Sequence, residues 1–521
     1  MKKSKILAVL TCLPVVSTTV ACGGTGDGNT LEITVQDAGY GVEWIADVAL
    51  AYEENTGVKV ELIDDVTSSL VETELNKLES GEHTSDVIML STDLYAHAEE
   101  GELLEITDSV YKQTPYGAEE GAATIAQRCT YNEAMKLNGE DHYYFMSFAT
   151  AVVGLLYNET TLDAVYGAGQ WTLPRTTNEL ITMLDYIKDD PNDKAYGFSS
   201  TSDYMNTLAP IWWAQYDGYN TYYDYWRGYQ DGVFCYDDPT FANTTGRLKA
   251  LQVLEKIIKQ ENGYMHESQS TFFQSEYFAE GQRTFLGKGY QRDKKLVAFY
   301  PCGDWFENES STLFAGQSIK MMRAPVISAI KETFEDATDS EMTDGKLSEI
   351  IGKIDANVPY SQAEYGCVES TYNRVWEARG FVTNYGIQQQ AFIPSYTKNP
   401  ERATEFLRFL VSDEAQVIFS KEMKGLSMPY GFDVTSSEEI KISPFAQSVI
   451  DCVSTPNFKA IYRDVTKPLT NRAGLAAFTT NSNLYHEALF YGQSAEQVWN
   501  GTYEDLKTNW NKYLTDAGIQ K

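Results

Sequence analysis

The chain has 521 residues, 43% of them hydrophobic and 22% charged, with a formal net charge of −33. So acidic a balance excludes nucleic acid as a partner and belongs to a well-solvated surface rather than to any one ligand. The seven cysteines and five histidines are scattered, with no CxxC and no metal-binding or triad spacing, so neither a metal site nor a cofactor is expected.

The chain opens on an export signal. Met1-Lys2-Lys3-Ser4-Lys5 is a basic start, and Ile6 to Val16 is an apolar stretch too short to span a bilayer stably. Thr19-Val20-Ala21-Cys22-Gly23 follows, and resembles a lipobox with Thr19 where leucine is usual. Small Ala21 fits a processing site, and the Cys22 thiol is placed to accept diacylglycerol. Residues 1–21 are therefore expected to be removed, taking Lys2, Lys3 and Lys5 with them and bringing the mature charge to −36. Residues 22–30 read as a glycine-rich lipid tether. No strand precedes its glycines, which argues against a nucleotide-binding loop. Five thiols remain, Cys129, Cys235, Cys302, Cys367 and Cys452, an odd number that leaves at least one unpaired. No later apolar run is long enough to cross a membrane.

The roughly 490 residues beyond the tether are too many for one core, so two lobes are expected. Leu31 to Val35 alternates like a strand, Val42 to Asn55 has helical spacing, and Val58 to Ile63 alternates again. A helix over Ser68–Glu79, a strand over Asp86–Leu90 and a helix from Tyr95 continue the pattern, which predicts a parallel sheet covered on both faces. Tyr143 to Tyr157 reads as consecutive strands crossing between lobes. Further helices are expected from Thr177 or Asn178 to about Lys188, over Leu248–Gln260 and over Asn399–Leu410, the last with Asn399 as its cap and Pro400 at its first position. Thr333 to Ala356, polar, acidic and poor in aromatics, reads as a surface insertion. The 35 tyrosines suit surfaces that are apolar on the ring face and hydrogen bonding at the tip, sugar sites included.

Five segments, in order, carry a resemblance. Leu31 to Asp65 is a strand, an aromatic turn, a helix and a strand ending in acids. Ser85-Asp86-Val87-Ile88-Met89-Leu90, continuing through Gly101-Glu102-Leu103-Leu104-Glu105-Ile106-Thr107, looks like a "PDI" strand and a "G-x-L-x-x-L-T" helix end. Gly154-Leu155-Leu156-Tyr157-Asn158 with Leu173-Pro174 through Leu180 is similar to "L-x-Y-N-K … P-x-T-W-x-E-L", Asn178 replacing the tryptophan. Ala298 to Trp305 is similar to "A-M-x-x-x-G-x-W", although extra residues separate it from Lys288. Ser395 to Leu410 matches "S-K-N-P-E-A-A-x-x-F-L-x-F-L". The chain thus resembles the family 1 extracellular solute-binding proteins of bacterial ABC importers, in the sugar-binding branch that includes maltose-binding protein.

The resemblance implies an α/β, two-lobed periplasmic-binding-protein-like fold of type II, each lobe a sheet flanked by helices, with a hinge between them and solute in the cleft. The first lobe is placed at 31–146 and 319–412, the second at 147–318 and 413–521. It also implies a monomeric lipoprotein on the extracellular face of a Gram-positive cell membrane. That protein would capture a carbohydrate, by its chain length an oligosaccharide, and deliver it to the permease subunits of an ABC transporter without catalysis. Two rivals stay open: an exported glycoside hydrolase using acids such as Asp64-Asp65 or Asp237-Asp238, and a cell-surface glycan-binding adhesin.

A sugar needs aromatic planes for its C–H faces and polar side chains for its hydroxyls, on loops at the carboxyl ends of strands facing the crevice. Tyr40 follows the first strand, with Glu43 and Trp44 at the start of the next helix. Asp93 ends the third strand where the family places an acidic contact. Trp305 holds the position of the family's stacking tryptophan, with Asp304 beside it. Trp213, in the aromatic stretch Tyr204 to Tyr229, and Tyr385 complete the expected ligand-binding set.

Overall fold

The computed structural model describes residues 30–205, 207–266, 278–288, 295–313, 316–462, 467–475, 479–480 and 483–520. The signal, most of the tether and Cys22 lie outside the described residues. Eleven strands build two large sheets. In chain order they are β1 (Thr30–Gln36), β2 (Lys59–Val66), β3 (Val87–Ser91), β4 (Phe145–Ser147), β5 (Val152–Asn158), β6 (Ala195–Phe198), β7 (Leu296–Gly303), β8 (Ile319–Met322), β9 (Phe381–Asn384), β10 (Gln389–Phe392) and β11 (Lys459–Ile461).

The first sheet has the order β2-β1-β3-β10-β4 and the second β11-β9-β5-β7-β6, with β8 pairing along β5. The opening β1, β2 and β3 run parallel, as the strand–helix alternation predicts, whereas β10 is antiparallel to both β3 and β4. The sheets are therefore mixed rather than wholly parallel, because strands that return from the other lobe enter in the opposite direction. One buried apolar cluster fills the first lobe and runs on under one face of the second sheet, through Leu156, Tyr300 and Met321, and a second cluster covers that sheet's other face, with Leu155, Phe299 and Phe381.

The chain passes between the lobes three times: from β4 to β5, from β9 to β10, and between the helix Asp413–Glu422, which packs on Glu43–Thr56, and the helix Pro444–Val453, which packs on β8. This corrects the expected boundaries. Residues 319–384 carry two strands of the second sheet, β8 and β9, so the first lobe regains the chain only near β10. The helix after 413 belongs with the first lobe. The 333–356 segment is likewise not a surface insertion. Within its helix Asp344–Asp355, Leu347, Ile350, Ile351 and Ile354 recur at i, i+3, i+4 and i+7 and are all buried in the second core.

Local chemistry explains the element ends. Thr176, one residue before the expected cap, caps Thr177–Lys188 in a reciprocal box with Glu179. Pro400 does open its helix, but the Asn399 side chain donates instead to Asp86 at 3.1 Å. Cys129, Cys235, Cys302, Cys367 and Cys452 are all free thiols. Among the described residues no helix is long and apolar enough to cross a membrane.

Candidate functional site

The carboxyl ends of β1 and β3, the second crossing and the turn after β7 converge on a cavity of about 1030 Å³. The first lobe contributes Gln36, Asp37, Tyr40, Glu43, Ser68, Ser91 and Glu422, and the second crossing adds Tyr385, Gln388 and Gln389. The second lobe contributes Tyr204, Gln282, Trp305, Asn308 and Glu309. The wall thus alternates aromatic rings with carboxylates, amides and hydroxyls, the inventory that meets a polyhydroxylated ring.

Trp305 is the centre of this wall. Its indole N–H donates to the Tyr204 hydroxyl at 3.2 Å, and its ring meets Tyr40 edge-on at 6.0 Å. Gly39 and Gly303 both press their backbones on the ring, where a Cβ at either position would collide with it. The Asn308 side chain donates to the Gly39 carbonyl at 3.1 Å, a further contact between lobes. Glu309 accepts from Gln282, and burial pushes its carboxyl up to about 7.

Of the sequence-predicted residues, Tyr40, Glu43, Trp305 and Tyr385 line this one cavity. Glu43 is exposed at its rim. Tyr40 is nearly buried, and its hydroxyl is already engaged within the protein, donating to Asp304 at 2.6 Å and accepting the Ala151 N–H at 3.0 Å.

The other four lie elsewhere. Trp44 points into the first core, edge-on to Phe419 at 4.9 Å, with its indole N–H on the Gly41 carbonyl. Asp93 accepts the Tyr95 N–H at 3.2 Å, just ahead of a short helix whose N-cap is Leu94, and is not among the lining residues. Trp213 is fully buried in the helix Leu208–Asp217, most of whose residues are buried, and donates to Asp217 at 2.8 Å. Asp304 is 1% exposed, turned from the cavity toward the first crossing, and burial raises its carboxyl to about 6.

Sequence reasoning missed Tyr204, Gln282, Asn308 and Glu309. A signal existed for the last two: they follow Trp305 by three and four residues, the spacing that shares a helix face.

The sequence profile of the bacterial extracellular solute-binding proteins matches residues 38–296. The chain belongs to that family. Three solved members of the same fold illustrate it. RafE bound to raffinose superposes with a TM-score of 0.57 at 14% identity, over 93% of this chain and 99% of that one. The substrate-binding protein Lmo0181 of Listeria monocytogenes, in complex with cycloalternan, gives 0.57 at 12% identity over 94% and 99%. Maltose-bound MalE3 of T. maritima gives 0.56 at 14% identity over 92% and 99%. At such identities the likeness establishes the shared two-lobed architecture. No curated protein matches this sequence. In this solute-binding protein the cavity sits at the switch between sheets, outside the strand ends, where open α/β folds hold their ligands.

Proposed function

We propose that this solute-binding protein captures a carbohydrate between its lobes and hands it to the permease of an ABC importer, as a monomer held to the membrane by lipid on Cys22. The observation that carries the reading is the half-buried Trp305, set in a cavity whose remaining wall is mostly carboxylate, amide and hydroxyl. A ring stacks on the indole while its hydroxyls meet Glu43, Asn308, Glu309 and the glutamines. The volume of about 1030 Å³ lies at the top of the ~300–1,000 Å³ range of small-molecule sites, which favours an oligosaccharide over a single ring. The sugars held by RafE, Lmo0181 and MalE3 support the same class of solute. The chain performs no catalysis in this reading, and closure of the lobes around solute presents the form that the permease recognises.

Calorimetry against a panel of neutral, amino and acidic glycans tests it. Stoichiometric binding with no product is expected, weakened about 10–100-fold by Trp305→Ala. Hydrolysis of any panel member would replace this reading with a glycoside hydrolase. Unimpaired uptake of the bound glycan in a deletion strain would replace it with an adhesin.

A further inference from the structure

Asp304 lines no part of the cavity, yet three pieces of chain meet on its carboxylate. Oδ1 accepts from the Tyr40 hydroxyl at 2.6 Å, and that hydroxyl in turn accepts the Ala151 N–H at 3.0 Å. Oδ2 accepts from the Thr150 hydroxyl at 2.9 Å and from the Val152 N–H at 3.1 Å. Tyr40 belongs to the first lobe, residues 150–152 to the first crossing, and Asp304 to the end of β7 in the second lobe.

The second crossing is tied to the same point. The Tyr385 N–H donates to the Ala151 carbonyl at 3.0 Å, and the Asn384 side chain donates to the Thr150 carbonyl at 2.6 Å. Ala151 itself is held at φ 44°, a left-handed conformation that a residue with a Cβ keeps only where its surroundings over-determine it. The next residue after Asp304 is Trp305. A carboxylate that fixes a first-lobe tyrosine and a crossing strand therefore also anchors the segment that carries the aromatic wall.

We propose that Asp304 is a positioning residue: without touching solute, it sets the angle between the lobes at the crossings and so the width of the cleft in front of Trp305. The inference rests on reading that cleft as the solute site. A carboxylate that served only to stabilise its surroundings would, when altered, lower the melting temperature and leave the cleft width unchanged.

The test is small-angle X-ray scattering of the full-length protein without added solute, comparing wild type with Asp304→Asn, Tyr40→Phe and the rim control Glu43→Gln. Asp304→Asn keeps the side-chain shape but replaces one of the two accepting oxygens by an NH2 group, so that either the Tyr40 side or the Thr150–Val152 side loses its acceptor, and Tyr40→Phe keeps the ring and removes the bridge. Both are expected to give a larger radius of gyration than wild type, with Glu43→Gln unchanged. Amide exchange at Ala151, whose N–H loses its acceptor, should quicken about tenfold in Tyr40→Phe. Wild-type scattering from folded Asp304→Asn would overturn the proposal, and if that variant does not fold, the same result from Tyr40→Phe overturns it. Neither measurement needs a bound sugar, so a glycan panel that returns no binder overturns the solute reading and leaves the joint at Asp304 to be judged by scattering alone.

Discussion

Gly39 packs its backbone directly on the indole of Trp305: a Cβ at Gly39 would stand 2.7 Å from the ring carbon Cδ1. The two residues come from different lobes, so an added methyl group must displace the indole or part the lobes. Gly39→Ala is expected to weaken glycan binding about tenfold or more in calorimetry while the protein stays folded, because a 1 Å misplacement in a built site carries that order of cost. Unchanged affinity would show that the ring yields without consequence.

Glu309 predicts a pH signature. Its carboxyl titrates near 7 in the folded protein because of burial, against an ordinary value of 4.5. For an acid with a raised folded pKa, the native state holds the extra proton between those values. Stability from this group is thus complete below about 4.5 and is lost as pH rises through about 7. Glu309→Gln removes the loss. Subtracting the wild-type thermal unfolding curve from that of Glu309→Gln should give a gain that grows from pH 5 to pH 8, at most about 3 kcal/mol. A flat difference would mean that the carboxyl titrates normally.

The helix Asp344–Asp355 should prove structural. Its last residue, Asp355, receives Arg379 at 2.8 and 3.0 Å and Arg323 at 3.1 Å, both arginines being largely buried. Asp355→Asn leaves two guanidinium groups without a counter-charge and is expected to cost about 2–4 kcal/mol in urea unfolding, the lower side of the range for breaking a buried pair because Asp355 is partly exposed. A cost under about 0.5 kcal/mol would return this segment to the surface.

Lipidation of Cys22 is testable by mass. The native protein is expected in the membrane fraction, with an N-terminal fragment starting at a diacylglycerol-modified Cys22, and Cys22→Ser is expected in the medium. An unmodified Cys22 would assign Thr19 the decisive departure from the lipobox.

The opening β-α-β unit was legible within three residues at every boundary, because period-two and helical patterns are local properties of the chain. Membership of a sheet is not local. Strands β8 and β9 have only four residues each and nothing in them states which lobe they join, so 319–384 was misassigned. The 333–356 segment misled through composition, although the spacing of Leu347, Ile350, Ile351 and Ile354 was there to read. At the site, position after a strand or turn led to Tyr40, Glu43 and Trp305, while residue type alone led to Trp213. Trp44, Asp93 and Asp304 stood near strand ends too, but one turns into the core, one bonds the backbone of Tyr95 and one faces the crossing. Direction of a side chain, unlike its place along the chain, depends on packing partners hundreds of residues away.

The place of β10 between β3 and β4 has a consequence for biogenesis. Among the described residues β4 joins the first sheet through β10 alone, so that sheet is completed only once the chain to residue 392 is in place. Pairings across such sequence separations form slowly. Because that sheet carries one wall of the cavity, the site itself is among the later parts of the fold to close.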